Sequence, residues 1–167
     1  MIEEVFIALG SNLGDRAGNI SNATRMIHGI PGVTPGAQSS FYETDPVGMA
    51  EGSPEFINCV ISIQTAIEPG ELFDLLSEIE KSFGKRERTG RGKKESRIMD
   101  IDILMHGNRV VKTAELEIPH PRMARRRFVI LPMNEISPSA VHPVLNKTVR
   151  RMLEELTDDH GVNKLIS

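Results

Sequence analysis

"SRIMDIDILMHG", residues 96–107, sets two carboxylates into an otherwise apolar run. Met99, Ile101 and Ile103 alternate with Asp100 and Asp102, the two-residue period of a β-strand with one apolar face. Upstream, "EPGELFDLLSEIEKSFG" (68–84) reads as a helix. Pro69 sits in its first turn, Leu72, Leu75, Leu76 and Ile79 share one face, and Gly84 ends it. Before that helix come two strands, "AQSSFYET" (37–44) and "FINCVISIQTAI" (56–67), with turn chemistry in "GIPGVTPG" (29–36). A helix is predicted from Arg16 to about His28, with Asp15 as its N-cap, after an opening strand "EVFIAL" (4–9).

The order is therefore β-α-β-β-α-β, the arrangement of a ferredoxin-like split βαβ sandwich. We expect an α+β fold, with one mainly antiparallel sheet and helices packed on its faces. C-terminal additions follow: a hairpin around "HGNRVV" (106–111), the segment "IPHPRMARRRF" (118–128), and an amphipathic helix from about Lys147 to Leu156. The 167 residues fit a single domain spanning 1–167 with a real core. No internal repeat or low-complexity tract breaks it.

Composition narrows the class. No apolar run reaches membrane-spanning length, and the start "MIEEVFIALG" carries glutamates where a signal peptide would carry basic residues. The single cysteine, Cys59, excludes an internal disulfide framework and a Cys-based zinc site. Within the run "FINCVISI" it reads as a buried, inert thiol. We expect a cytoplasmic protein with no membrane partner.

The net charge of −3 hides an uneven distribution. Residues 81–97 hold eight basic side chains and two acidic ones, and 122–127 add four arginines. An acidic protein that gathers positive charge in two places is built to hold an anion between them, although two solvated basic loops would show the same pattern. With no Trp and one Tyr there is no stacking platform for nucleic acid, and we expect no nucleic-acid partner.

Five stretches carry chemistry. Asp100 and Asp102, two apart on a strand, face one side about 7 Å apart. They can share a pair of Mg²⁺ ions or take the edges of one site, with water and phosphate completing the coordination. Two solvated aspartates on an edge strand are the plain alternative. "ALGSNLGD" (8–15) is a strand-to-helix turn whose glycines allow unusual angles or close approach of a ligand, and it is neither a P-loop nor a dinucleotide fingerprint. "FYETDPVG" (41–48) ends a strand in a Pro/Gly turn whose backbone groups suit a planar heterocycle, or else makes a surface turn. Asn58 shares a strand face with Phe56 and needs partners for its amide, from a ligand edge or from a neighbouring turn. In "IPHPRMARRRF", His120 stands between two prolines beside Arg122 and Arg126, which suits phosphate contact. The other histidines, His28, His106, His142 and His160, form no cluster.

Taken together, "ALGSNLGD", "FYETDPVG", "FINCV", Arg97 followed by "DIDIL", and "IPHPRM" resemble, in order and spacing, the 6-hydroxymethyl-7,8-dihydropterin pyrophosphokinase family over about residues 5–138. The resemblance implies transfer of pyrophosphate from ATP to the hydroxymethyl group of 6-hydroxymethyl-7,8-dihydropterin, releasing AMP, in folate biosynthesis. It implies that Asp100 and Asp102 bind two Mg²⁺ ions. It places Thr44, Pro46, Val47, Phe56, Asn58 and Phe128 around the pterin, with the two phenylalanines sandwiching the ring. Glu80, Arg97, Ile98, His120, Arg122 and Arg126 fall at nucleotide positions, and Lys85 stands where a cation reaches the phosphates. Arg97 and Lys85 are thereby expected to act in catalysis together with the aspartates. Where the family often carries Trp-Gly-Pro before its arginine, this chain reads "GKKESR" (92–97). A monomer acting on small molecules is expected. A metal-dependent nucleotidyltransferase and a non-enzymatic ligand-binding module are the rival classes, and neither requires "FYETDPVG", "FINCV" and "IPHPRM" together.

Overall fold

Period-two apolar patterning in three long segments builds the centre of the molecule. In the computed structural model, which describes residues 1–44, 55–84, 87–88, 95–96, 98–158 and 161–165, these are β1 (Glu3–Ser11), β4 (Phe56–Thr65) and β7 (Asp100–His106). β1 lies between the other two and is antiparallel to both. β2 (Val33–Gln38) and β3 (Tyr42–Thr44) pair antiparallel with the two halves of β4, and β10 (Val162–Lys164) extends the sheet beyond β3. The strand order is β10-β3-β4-β1-β7, with β2 beside β3 on the same flank of β4. Helices α1 (Arg16–His28) and α2 (Pro69–Ser82) make the two crossovers, giving the expected ferredoxin-like topology.

Both crossover helices form where the sequence says. The Asp15 side chain accepts the Gly18 N–H at 3.1 Å, an N-cap that satisfies one orphan donor of α1. Pro69 opens α2, and Gly84, at φ +107°, lies just beyond its end in a conformation that favours glycine.

One sheet face takes the odd-numbered side chains of β1 and β4. Val5, Ile7, Leu9, Ile57, Cys59, Ile61 and Ile63, with Ile101 and Ile103 of β7, are buried against Ile20, Ala23 and Ile27 of α1 and Leu72, Leu76 and Ile79 of α2. Each fully buried isoleucine or leucine there stabilises the fold by about 1.5–3 kcal/mol relative to exposure. Burial also pushes the Cys59 thiol up to about 12, so it is an inert packing group, as expected.

The opposite face is covered over only part of its area. Phe6, Val60, Leu104 and Met105 pack under Met123, Val129, Ile130, Met133, Val149 and Met152. These come from a 3-10 turn (Met123–Arg125), α3 (Arg127–Ile136) and α4 (Val149–Glu154). The rest of this face, toward the start of β7, carries the polar side chains considered below.

The structure departs from the sequence reading in several places. Part of "GIPGVTPG" is strand, because β2 begins at Val33 and pairs with β4 across a register shift between Pro35 and Gln38. The hairpin around "HGNRVV" turns at Gly107, φ +56°, but β8 (Val111–Lys112) then pairs downstream with β9 (Glu117–Ile118) and not back onto β7. The segment after "IPHPRM" forms α3 despite Pro132, whose lost hydrogen bond is offset by the burial of Val129, Ile130 and Met133. The C-terminal helix is shorter than expected, capped at Thr148, whose side chain accepts the Arg151 N–H. Two further strands, β5 (Glu87–Arg88) and β6 (Glu95–Ser96), pair with each other.

Candidate active site

Residues directly opposite in an antiparallel sheet share a face, so the register lays out the site. Gly10 of β1 is opposite Asn58 of β4 on one side and Asp100 of β7 on the other. Ala8 is likewise opposite Val60 and Asp102. Tyr42 is opposite Asn58 and Thr44 is opposite Phe56, so these too look onto the same face. The middle strand contributes only a hydrogen and a methyl group between an amide and two carboxylates. The result is a shallow floor with Asn58 and Phe56 on one side, Asp100 and Asp102 on the other.

Local bonds hold this floor. The Asn58 Nδ2 donates to Thr44 Oγ1 at 2.8 Å, and both residues are buried. The neighbouring turn thus supplies one partner of the Asn58 amide, and the Thr44 hydroxyl is engaged with Asn58. Glu80 of α2 reaches β7 from outside the sheet, and its Oε2 accepts the Ile101 N–H at 2.9 Å. That bond pins the strand between the two aspartates. At the entry to β7 the Ser11 hydroxyl donates to the Ile98 carbonyl. Asn19 of α1 steadies the turn, donating through Nδ2 to Leu13 O at 3.0 Å and to Ser11 Oγ at 3.3 Å. The stretch "ALGSNLGD" therefore positions the strand that carries the aspartates.

The rim comes from residues 120–128. His120 N–H donates to Leu104 O at 2.9 Å, tying this segment to β7 just after a cis Ile118–Pro119 bond. The Nδ1 of His120 accepts the Arg122 N–H at 3.1 Å, which leaves the ring proton on Nε2. Burial lowers the His120 pKa below its ordinary value, as do Arg126 and Arg122, with Asp100 and Glu117 opposing. It is therefore a neutral ring with one N–H to donate. Burial and Arg122 also lower the Arg126 pKa, while Asp102 and Asp100 pull the other way. The guanidinium of Arg126 lies 5.5 Å from the centroid of the half-buried Phe128 ring, within cation–π range. His120 and Arg126 thus lie within electrostatic reach of Asp100, and Arg126 of Asp102 as well, so charges of both signs gather over the open part of the sheet.

Arg97, Lys85, Pro46 and Val47 lie outside the described residues. Among the described residues no three His, Cys, Asp or Glu side chains gather as a complete metal cage. The half-buried pair Asp100 and Asp102 fits sparse carboxylate ligation of Mg²⁺, which leaves most positions to phosphate and water.

The sequence reading missed supports that act from far along the chain. Glu135 of α3 accepts from Tyr42 Oη at 2.5 Å and from Ser40 N–H and Oγ at 3.0 and 2.9 Å. Burial and the bond to Glu135 raise the Tyr42 pKa, and against its own desolvation the bonds from Tyr42 and Ser40 lower that of Glu135. Arg16 donates to Glu55 O at 2.7 Å and pairs with Glu43 at 3.1 Å. Nothing in the local pattern around Glu135 or Arg16 announces these partners.

Comparison with known proteins agrees with the geometry. Residues 6–138 match the model of the 7,8-dihydro-6-hydroxymethylpterin-pyrophosphokinase (HPPK) family. The chain belongs to that family. It is 40% identical over 131 residues to 2-amino-4-hydroxy-6-hydroxymethyldihydropteridine pyrophosphokinase of Bacillus subtilis, covering 78% of this chain and 76% of that protein. The enzyme of the same name from Aquifex aeolicus is 33% identical, with 92% of each chain covered. Folic acid synthesis protein FOL1 of Dictyostelium discoideum is 34% identical over 96% of this chain, which spans only 24% of that longer protein. Among solved structures, Plasmodium falciparum HPPK-DHPS with pteroate superposes with a TM-score of 0.72 at 16% identity, covering 93% of this chain and 42% of that one. That likeness shows that the HPPK fold is shared. No helix among the described residues is long and apolar enough to cross a membrane.

Proposed function

We propose that this chain transfers the pyrophosphoryl group of ATP to 6-hydroxymethyl-7,8-dihydropterin in folate biosynthesis. The hydroxymethyl oxygen attacks the β-phosphorus of ATP and gives up its proton. The bond from that phosphorus to the α–β bridging oxygen breaks, and AMP leaves with the oxygen. The observation that carries the reading is the row Asn58–Gly10–Asp100, which sets a heterocycle-reading amide and a phosphate-facing carboxylate side by side on one open face.

Each site residue has a role in this reading. Asn58, held by Thr44, presents its amide to the pterin edge, and Phe56 and Phe128 close on the ring from either side. Pro46 and Val47 complete the pterin site in this reading. Asp100 and Asp102 would hold two Mg²⁺ ions, which when bound neutralise charge along the phosphate chain. His120 donates Nε2–H to a phosphate oxygen, and Arg122 and Arg126 supply positive charge. Glu80 and Ile98 lie at the nucleotide end, where Glu80 also fixes the Ile101 N–H and Ile98 is held by Ser11. Arg97 and Lys85 are assigned to the phosphates as cations. Among the described residues no strong general base stands over the floor. Positioning and charge neutralisation carry the step, as phosphoryl transfer requires.

A single chain supplies every residue named, so the working unit is taken as a monomer. The cysteine usage fits a cytoplasmic setting. The test is to incubate the protein with ATP, Mg²⁺ and the reduced pterin and follow the pterin by chromatography and mass. A pterin gaining pyrophosphate supports the reading, and an unchanged pterin in the presence of folded protein refutes it.

A further inference from the structure

We infer that Gly10 is a specificity-determining position that acts by making room for the Asn58 amide. The inference rests on the pterin-binding reading above. Gly10 is the next-to-last residue of β1, still paired on both sides, and no unusual backbone angle there calls for glycine. A strand interior normally disfavours glycine, which costs conformational entropy and packs nothing. Its reason lies across the strands. A Cβ at position 10 would stand 2.8 Å from Asn58 Oδ1, whereas the next nearest atoms, Ile57 O and Phe56 Cδ1, would be at ordinary contact distances of 3.7 and 3.8 Å.

The clash therefore falls on one atom, at the far end of a side chain that can rotate. The Asn58 amide is held in place by Nδ2 donating to Thr44 Oγ1 at 2.8 Å. A methyl group at position 10 would turn the amide away, break or lengthen that bond, and re-aim the donor–acceptor edge. The sheet itself would tolerate the change, because alanine adopts strand angles without strain. Gly10 is thus a positioning residue whose effect on the pterin runs through Asn58. It differs from a glycine kept small so that ligand can approach the backbone, since that kind acts on ligand directly.

A double-mutant cycle separates the two. Pterin affinity is measured by titration calorimetry for wild type, Gly10→Ala, Asn58→Ala and the double variant, each saturated with Mg²⁺ and a non-hydrolysable ATP analogue. Binding of the analogue and the melting temperature report the fold. We expect Gly10→Ala to weaken pterin binding about tenfold with analogue binding retained, the scale of one mispositioned buried hydrogen bond. In the Asn58→Ala background the same alanine should cost nothing further. An equal loss in both backgrounds, or no loss in wild type, overturns the inference. Failure of wild type itself to bind the pterin would instead overturn the functional reading on which it rests.

Discussion

Asp100 and Asp102 are half-buried carboxylates that face a pocket containing His120 and Arg126, and a floor of Gly10 and Ala8 brings nothing to crowd them. In the proposed reading, replacing either with alanine removes an ion ligand while the apolar side of β7 stays packed. Turnover should fall by at least a hundredfold with the melting temperature nearly unchanged, and near-normal rates at limiting Mg²⁺ would rule the ligand role out. Phe128 offers a different signature. Its ring has Arg126 near it and is free of any structural hydrogen-bonding duty, so Phe128→Ala should weaken pterin binding by about 0.5–1.5 kcal/mol and ATP binding little. Equal losses for both ligands, measured by calorimetry, would count against stacking. The aspartate pair was legible in the sequence because a period of two puts both on one face whatever their neighbours are. Gly10 could be read only as a glycine near a turn, since its partner Asn58 meets it across a strand pairing that no local pattern encodes.

α1 and α2 were readable as elements because capping residues and apolar stripes agree with each other there. α3 was not, because Pro132 and the run of arginines argue against a helix, and only burial of one side against Phe6 and Val60 tips the balance. β2 was hidden for a similar reason, its Pro35 and Gly36 reading as turn while β4 supplied the pairing. The placement of α3 matters for function, since Phe128 lies in its first turn and Glu135 in its last. Glu135 joins the helix to Ser40 and Tyr42 at the far side of the sheet. Glu135→Ala should lower stability by about 1 kcal/mol, the scale of a partly exposed charged hydrogen-bond set, read as a lower midpoint in urea with unchanged slope. Because the helix carries Phe128, pterin affinity should fall as well. A variant as stable as wild type would show that the helix is held by its apolar face alone.

For the molecule as a whole, three histidines share one property. Burial lowers the pKa of His106, His120 and His142 below the ordinary 6.5, and only partly opposing carboxylates reach His106 and His120. The unfolded chain then binds more protons than the native one as pH drops through 6.5, so stability declines on acidification and is fully present above that value. His106 is the most enclosed, with both ring nitrogens buried and unbonded and Glu3 Oε1 3.7 Å from Nε2. His106→Leu should therefore flatten the fall in melting temperature between about pH 7 and about pH 5. An unaltered slope would place the sensitivity elsewhere. Function at this scale comes down to which phosphorus the site presents to the pterin. A floor of two carboxylates beside an amide, under a rim of His120, Arg122 and Arg126, is read here as holding ATP for attack at its middle phosphorus. The most direct measurement is the nucleotide released, resolved by chromatography while pterin pyrophosphate is counted in the same sample. AMP is expected in one-to-one ratio with the pterin product, dependent on Mg²⁺ and on the reduced pterin. ADP as the stoichiometric product, or AMP released without regard to the pterin, would contradict it.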